Sequence, residues 1–452
     1  MKNRPVLFAL AAGALLALPG CVANQQYRFV GDPQSPAFEG HTAEHPYQLS
    51  FIEFDERGDY WDRRQVGSAA HQIKKSAKPV LLVVFIHGWH NDASEDAGDV
   101  HRFRCLLKQL GSTEATKRLE VQGVFIGWRG ESVARNPLLK LPSLLSLYSR
   151  KNAVERAAGH PMADSIFWMV REARKYQPGS RTVLIGHSLG ALALEKVLAQ
   201  SLPARLYTYG AGGEKGAGRD ALYSPADLIL LLNSAAESSY AKELIDTFRR
   251  LPQQPGEGTA IDSRHPLLIS VTSTADSATG TFFPIGTKLS NTFGTFRDYK
   301  LDPKFDGTDR TVNQKSYYTQ TPGHNPDVVS HVVVPRHLPV RIPAGKWDET
   351  AGVCAVESNP SFEENLTHPR GMSFVTGKPG DWDEWDIRPS PTQLGKPSAY
   401  WVMQVPKELI PSHGDIFNPN ARSMMAALFR LNNELKPAPP RRMQMSAQER
   451  LR

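Results

Sequence analysis

Residues 183–195 read VLIGHSLGALALE. An apolar, strand-like run leads into Gly186-His187-Ser188-Leu189-Gly190, and small and apolar helix formers follow at once. A serine hydroxyl is a weak nucleophile unless a tight turn holds it exposed beside a base, and a sharp strand-to-helix turn does this. Gly186 and Gly190 keep side chains away where the backbone bends and where strand and helix meet. In a chain with 35 glycines the five letters alone could arise by chance. The strand before and the helix after set them apart from a plain turn serine.

Working outward, strands alternate with helical stretches. Tyr47–Phe54 (YQLSFIEF) alternates as a strand does, and Asp62–Lys75 reads as a helix. Pro79–Ile86 (PVLLVVFI) is a continuous apolar run of the kind buried on both faces, and it ends at His87-Gly88-Trp89-His90. Val100–Leu110 fits a helix, and Val121–Ile126 fits a strand leading to Gly127-Trp128-Arg129-Gly130. Ser165–Tyr176 is the helix before the elbow strand. Asp227–Leu232, Pro266–Thr272 and Tyr400–Val405 are the strands expected after it, with a final helix in ARSMMAALFRL. This rhythm predicts an α/β fold with a mostly parallel central sheet and helices on both faces.

Two stretches break the rhythm. Residues 131–161 contain PLLKLPSLLSLY, apolar and punctuated by proline, and residues 280–398 are rich in Gly, Pro and Asn. Both are expected to be insertions, the first either a cap over an acyl pocket or a helix packed on the sheet.

The order FIHGWHN, GWRG, GHSLG, a strand ending near an aspartate, and a last strand followed by a histidine resembles the α/β-hydrolase superfamily. Within it the chain is most similar to bacterial serine esterase- or lipase-like proteins. The resemblance spans residues 46–435. It implies an α/β-hydrolase fold and acyl-enzyme chemistry on an ester or other acyl substrate, with Ser188 as nucleophile and no cofactor or metal. Amide or thioester hydrolysis and acyl transfer use the same parts, and a binding lipoprotein on the same fold is the non-catalytic alternative.

The superfamily order places an acid and then a base after the serine. Asp276, in PLLISVTSTADSATG, follows the second strand after the elbow strand and is the expected acid. Glu237, after the preceding strand, is the alternative, and Asp262 is poorly placed. The other reading of Asp276 is a helix or turn cap, given its Ser, Thr and Gly neighbours. His413, in a loop after the last strand, is the expected base among 14 histidines, with His324 in TPGHNPD as its rival. His331 in VVSHVVV reads as a strand residue. His187 is expected to pack beneath the nucleophile, because alternate side chains of a strand point apart. The main-chain N–H groups of Trp89 and Leu189 are the expected oxyanion hole, the latter at a helix start where free donors and the dipole favour an anion. Arg129 is expected to form a structural ion pair, with Asp92 or Asp99 as candidate partners.

The first twenty residues read as an address. Met1-Lys2-Asn3-Arg4 is positive, Val6–Leu18 is apolar and uncharged, and Leu18-Pro19-Gly20 leads into Cys21. The run falls short of the roughly 20 residues that span a bilayer. It resembles a bacterial lipoprotein signal with its lipobox, which implies lipidation at Cys21 and an envelope location, the outer membrane favoured by Val22. An ordinary secretory signal is the other reading. Residues 21–45 read as a flexible tether, and the Pro-rich basic tail 436–452 as disordered. The remaining cysteines, Cys105 and Cys354, are either one disulfide or two separate thiols. The formal charge of +7 lies largely in that tail, and no aromatic-interleaved basic patch suggests nucleic acid.

Overall fold

The computed structural model describes residues 24–112, 118–130, 150–210, 226–250, 266–284, 294–303, 308–336, 373–378, 381–392 and 398–434. The described residues include thirteen strands: β1 (Phe38–Glu39), β2 (Gln48–Glu53), β3 (Val80–Ile86), β4 (Glu120–Gly127), β5 (Arg181–His187), β6 (Leu228–Leu232), β7 (Leu268–Ser273), β8 (Asp298–Lys300), β9 (Thr311–Asn313), β10 (His331–Pro335), β11 (Ser373–Lys378), β12 (Asp381–Pro389) and β13 (Tyr400–Val405). The seven helices used below are α1 (Arg63–Lys75), α2 (Gly98–Gly111), α3 (His160–Tyr176), α4 (Leu189–Gly210), α5 (Ser238–Arg250), α6 (Gln314–Thr319) and α7 (Pro419–Glu434).

The strand β3 shows why the layers form. All seven of its residues are buried. Val80, Leu82, Val84 and Ile86 join the cluster that contains Ile73 of α1, Met169 of α3, Leu198 of α4 and Leu244 of α5. Leu81, Val83 and Phe85 join the opposite cluster, with Phe103 of α2 and Met424 of α7. A period of two therefore divides one apolar run between two cores, as a sheet covered by helices on both faces requires.

Eleven strands form one sheet in the order β1-β2-β4-β3-β5-β6-β7-β13-β10-β12-β11. From β2 to β10 every neighbouring pair is parallel. Antiparallel pairs close both edges, β1 on β2 at one side and β10-β12-β11 at the other. The chain is thus an α/β protein with a large, mostly parallel sheet. The strand β5 sits near the middle, between β3 and β6, so the turn after it opens at the C-terminal edge of the parallel strands, where crevices for ligands form in such sheets.

Three features differ from the sequence reading. The stretch 280–398, expected as an insertion, contributes β10, β11 and β12 to the central sheet, so β13 is flanked on both sides. The segment expected as a tether is docked from Tyr27 onward. The N–H groups of Tyr27 and Arg28 donate to the Glu53 carboxylate at 2.9 and 2.8 Å, and the Arg28 guanidinium, 1% exposed, lies 4.1 Å over the Phe51 ring. Buried main-chain donors need acceptors, and Glu53 supplies them. Arg129 does form an ion pair, but with Glu56, which also receives Arg150 at 2.8 Å.

Residues 131–149, which hold the apolar PLLKLPSLLSLY, lie outside the described residues, as do the signal with Cys21 and the tail. Cys105 is disulfide-bonded, and Cys21 and Cys354 lie outside the described residues. Among the described residues no helix is long and apolar enough to cross a membrane.

Phe85 packs against Phe103, Phe125 and Phe417 with ring centroids 5.3, 5.6 and 5.1 Å away. Phe85→Ala is expected to cost about 3–5 kcal/mol of stability, seen as a lower urea midpoint, because the rigid sheet cannot collapse into the vacated volume.

Candidate active site

The turn after β5 is forced. Ser188 has φ of 54°, in the left-handed region that side chains other than glycine seldom occupy. Its N–H donates to the Leu232 carbonyl of β6 at 3.0 Å, and its carbonyl accepts from Leu192 and Ala235, both at 3.1 Å. The flanking glycines are required by contact. A Cβ at Gly190 would stand 2.2 Å from the Ile86 carbonyl oxygen, and one at Gly186 would stand 2.7 Å from Cα of Ala191. The helix can pack this close to the sheet only without those side chains.

Three loops converge on this turn. His413, between β13 and α7, places Nε2 2.8 Å from Ser188 Oγ. Its Nδ1 lies 2.9 Å from both oxygens of Asp276, which follows β7. The strands that present these side chains are β5 for Ser188, β7 for Asp276 and β13 for His413, and β6 alone intervenes between the first two. Asp276 is fully buried at its side chain and His413 is 28% exposed, so of this pair the imidazole is the member open to incoming molecules.

Asp276 is held by its own loop. Its Oδ1 accepts from the Ala278 and Thr279 N–H groups at 3.0 and 3.2 Å, and its Oδ2 accepts from Thr279 Oγ1. Burial pushes this carboxyl up, but hydrogen bonding and charge from His413, with the Thr279 bonds, outweigh it and hold it below the ordinary aspartate range. It is a carboxylate that both caps a turn and orients an imidazole.

The alternatives lie elsewhere. Glu237 receives Lys151 Nζ at 2.8 Å. His324 pairs Nδ1 with Thr321 Oγ1 at 3.0 Å, and its Nε2 packs against Gly280. Burial lowers its pKa. His331 is a β10 residue whose ring, tilted against that of Trp401, has its centroid 4.2 Å away. Asp262 is outside the described residues.

Gly88 carries the loop after β3 close to the turn, since a Cβ there would be 3.0 Å from Ser188 Cβ. The loop is pinned to GWRG by His90 N–H on the Gly130 carbonyl at 3.3 Å and Gly130 N–H on the Asn91 carbonyl at 3.1 Å. Among the described residues, the N–H groups of Trp89 and Leu189 have no hydrogen-bond partner. Leu189 directly follows Ser188, and Trp89 directly follows Gly88 on the loop that approaches it, so both are donors free to meet an anion. Also among the described residues, no cluster of His, Cys, Asp or Glu could hold a metal ion.

The sequence reading missed two supporting polar groups. Asn233, directly after β6, has φ of 45° and bridges loops: its Nδ2 donates to the His413 carbonyl at 3.0 Å and its Oδ1 accepts from Ser273 N–H at 2.9 Å. Glu195, wholly buried on α4, accepts from Ser234 Oγ at 2.7 Å and from the Tyr400 hydroxyl at 2.5 Å. A polar residue straight after a buried strand was the available signal for Asn233. Glu195 gave none, since a glutamate in a helix usually faces solvent.

No protein-family model and no curated protein matches the sequence. Among solved structures the chain is similar to "RedJ with PEG molecule bound in the active site", at 17% identity and a TM-score of 0.19 over 45% of this chain and 72% of that one. Similarity of that extent carries no argument about fold or activity.

Burial raises the Glu195 carboxyl from its ordinary 4.5 to about 7, the Tyr400 and Ser234 bonds offsetting part of the rise. The folded protein therefore keeps a proton that the unfolded chain has lost, and stability falls as pH rises from about 4.5 to about 7. Glu195→Gln is expected to remove this part of the slope, so that the variant gains on wild type as pH rises through that window in denaturant titrations.

Proposed function

We propose that the chain is a serine hydrolase of the α/β-hydrolase fold that acts on carboxylic esters through an acyl-enzyme. The observation that carries this reading is the continuous line Asp276–His413 Nδ1 and His413 Nε2–Ser188 Oγ, at 2.9 and 2.8 Å, assembled on a strained turn of a parallel sheet. Three side chains far apart in sequence seldom align this way unless the alignment has a use.

In this reading Ser188 Oγ attacks the ester carbonyl carbon while His413 Nε2 takes its proton. Asp276 accepts Nδ1–H, which fixes the tautomer that leaves Nε2 free, and its charge stabilises the imidazolium that forms. The carbonyl oxygen becomes an oxyanion and receives the Trp89 and Leu189 N–H groups. Preorganised donors of this kind contribute roughly 3–4 kcal/mol each. Collapse expels the alcohol, protonated by His413, and leaves Ser188 acylated. Water, deprotonated by the same histidine, then releases the acid.

The N-terminal sequence supports attachment to the cell envelope through lipid on Cys21, with residues 46–435 as the catalytic domain. The membrane is then a partner through that lipid. A single chain would give only reversible binding; a lipoprotein anchor carries more than one.

A fluorophosphonate probe tests the reading. Wild type is expected to be labelled and Ser188→Ala not; labelling that persists in the variant, or no labelling of a folded wild type, overturns it. Asp276→Asn is expected to lower kcat on an aryl ester by roughly 10³- to 10⁴-fold while Glu237→Gln leaves it near wild type. The reverse ranking would move the acid to Glu237.

A further inference from the structure

Behind the Asp276–His413 pair lies a second carboxylate and imidazole. His187, one residue before Ser188, points away from the nucleophile as strand alternation demands, and its ring centroid is 5.0 Å from that of His413. Its Nε2 lies 2.9 Å from the His413 carbonyl oxygen. A carbonyl only accepts, so Nε2 carries the proton and donates. Its Nδ1 faces Asp99 Oδ2 across 3.8 Å. Both of these atoms are buried and neither has a hydrogen-bond partner.

A buried histidine kept only for packing would leave this arrangement costly. A lone pair on Nδ1 facing a carboxylate oxygen is repulsive, and an unpartnered buried carboxylate oxygen carries its full desolvation penalty. Burial pushes the Asp99 carboxyl up, but its interactions with His187 and Arg102 outweigh that and hold it below the ordinary aspartate range, so carboxylate and imidazole face each other as a pair. The other charged and titratable groups on this pair are Arg102, which donates to Asp99 Oδ1 at 3.3 Å, and His87 on the loop after β3. His87 stays neutral: its Nε2 accepts the Trp128 N–H at 3.1 Å, and burial lowers its pKa. His413 faces from the C-terminal loop.

We propose that Asp99 and His187 form a second aspartate–histidine pair that positions His413 by gripping its main-chain carbonyl. The grip is two-sided. His187 holds the carbonyl from the elbow strand, and Asn233 holds the same oxygen at 3.0 Å while its own Oδ1 takes the N–H of Ser273 at the end of β7. One oxygen of the base loop is thereby tied to the strand of the nucleophile and to the strand of the acid. The peptide of His413 has little room to drift, and its ring inherits that precision at both nitrogens. Gly88 is part of the device, because a Cβ there would come within 2.9 Å of His187 Nδ1 and crowd the gap to Asp99.

The kinetic side of this inference rests on the hydrolase reading; the structural side does not. His187→Leu removes the donor, His187→Gln keeps an amide donor near Nε2, and Asp99→Asn removes the facing carboxylate. Turnover of an aryl acetate and the low-field proton resonance of the His413 Nδ1–H···Asp276 bond are followed in each. His187→Leu is expected to lower kcat by about 10- to 100-fold with KM within about threefold of wild type, and His187→Gln to recover most of the loss. The resonance shifts or broadens in His187→Leu and returns in His187→Gln, while Asp99→Asn falls between. Wild-type kcat and an unmoved resonance in His187→Leu overturn the proposal. So does a His187→Gln protein as impaired as His187→Leu, with an equal drop in its urea midpoint. If folded wild type neither turns over esters nor reacts with the fluorophosphonate, the hydrolase reading fails by itself, and the resonance alone decides the positioning role.

Discussion

The left-handed turn at Ser188 is the constraint on which the rest depends. A serine at φ of 54° costs on the order of 1 kcal/mol relative to an ordinary turn, so the surroundings must over-determine it. They do so from three sides. The strand β6 takes its N–H, the segment after β6 donates to its carbonyl, and the first turn of α4 lies against the end of β3 with Gly190 at the contact. The same closeness brings Gly88 to Ser188 and, among the described residues, leaves the main-chain N–H groups of Trp89 and Leu189 without a partner. Strain at the turn and open donors beside it are two consequences of one packing decision.

Much of this was legible in the sequence, for identifiable reasons. Apolar runs such as PVLLVVFI and DLILLL can be buried on both faces only inside a parallel sheet, so the core strands declared themselves. Ser188, Asp276 and His413 each stand just beyond such a run, and the structure brings the three together. The misses have a physical origin as well. The strand β12 reads DWDEWDIRP, in which Trp385 and Ile387 are buried between charged neighbours, and the sequence Pro-Gly separates it from its partner β11. A two-faced antiparallel edge lacks the continuous apolar signal of the core strands, so composition made it look like loop. The N-terminal segment misled for the opposite reason: its attachment rests on a buried guanidinium and on main-chain hydrogen bonds to Glu53, which hydropathy does not register.

The supporting polar groups were the least legible part, because their value is relational. Asn233 matters through two contacts made by residues 40 and 180 positions away. Glu195 joins α4 to the segment after β6 and to the start of β13, 205 residues on. Neither position has a periodicity or a local partner that would mark it. Such groups can be inferred from a sequence only once the strand order is known, since strand order decides which loops become neighbours.

That dependence gives the buried polarity around the turn a common explanation. Asp99, Glu195, Asn233 and Asp276 are all 2% exposed or less, and each costs desolvation that an apolar residue of similar volume would not. An apolar core supplies more stability per atom but is tolerant of small shifts, because dispersion is nearly indifferent to direction. Hydrogen bonds and ion pairs are directional, and each of these side chains connects elements that reach the turn from distant parts of the chain. The core clusters on the two faces of the sheet hold the fold together. The polar set fixes, within that fold, where the loop after β13 stands relative to the turn after β5, which is the separation that any proton transfer between His413 and Ser188 must keep.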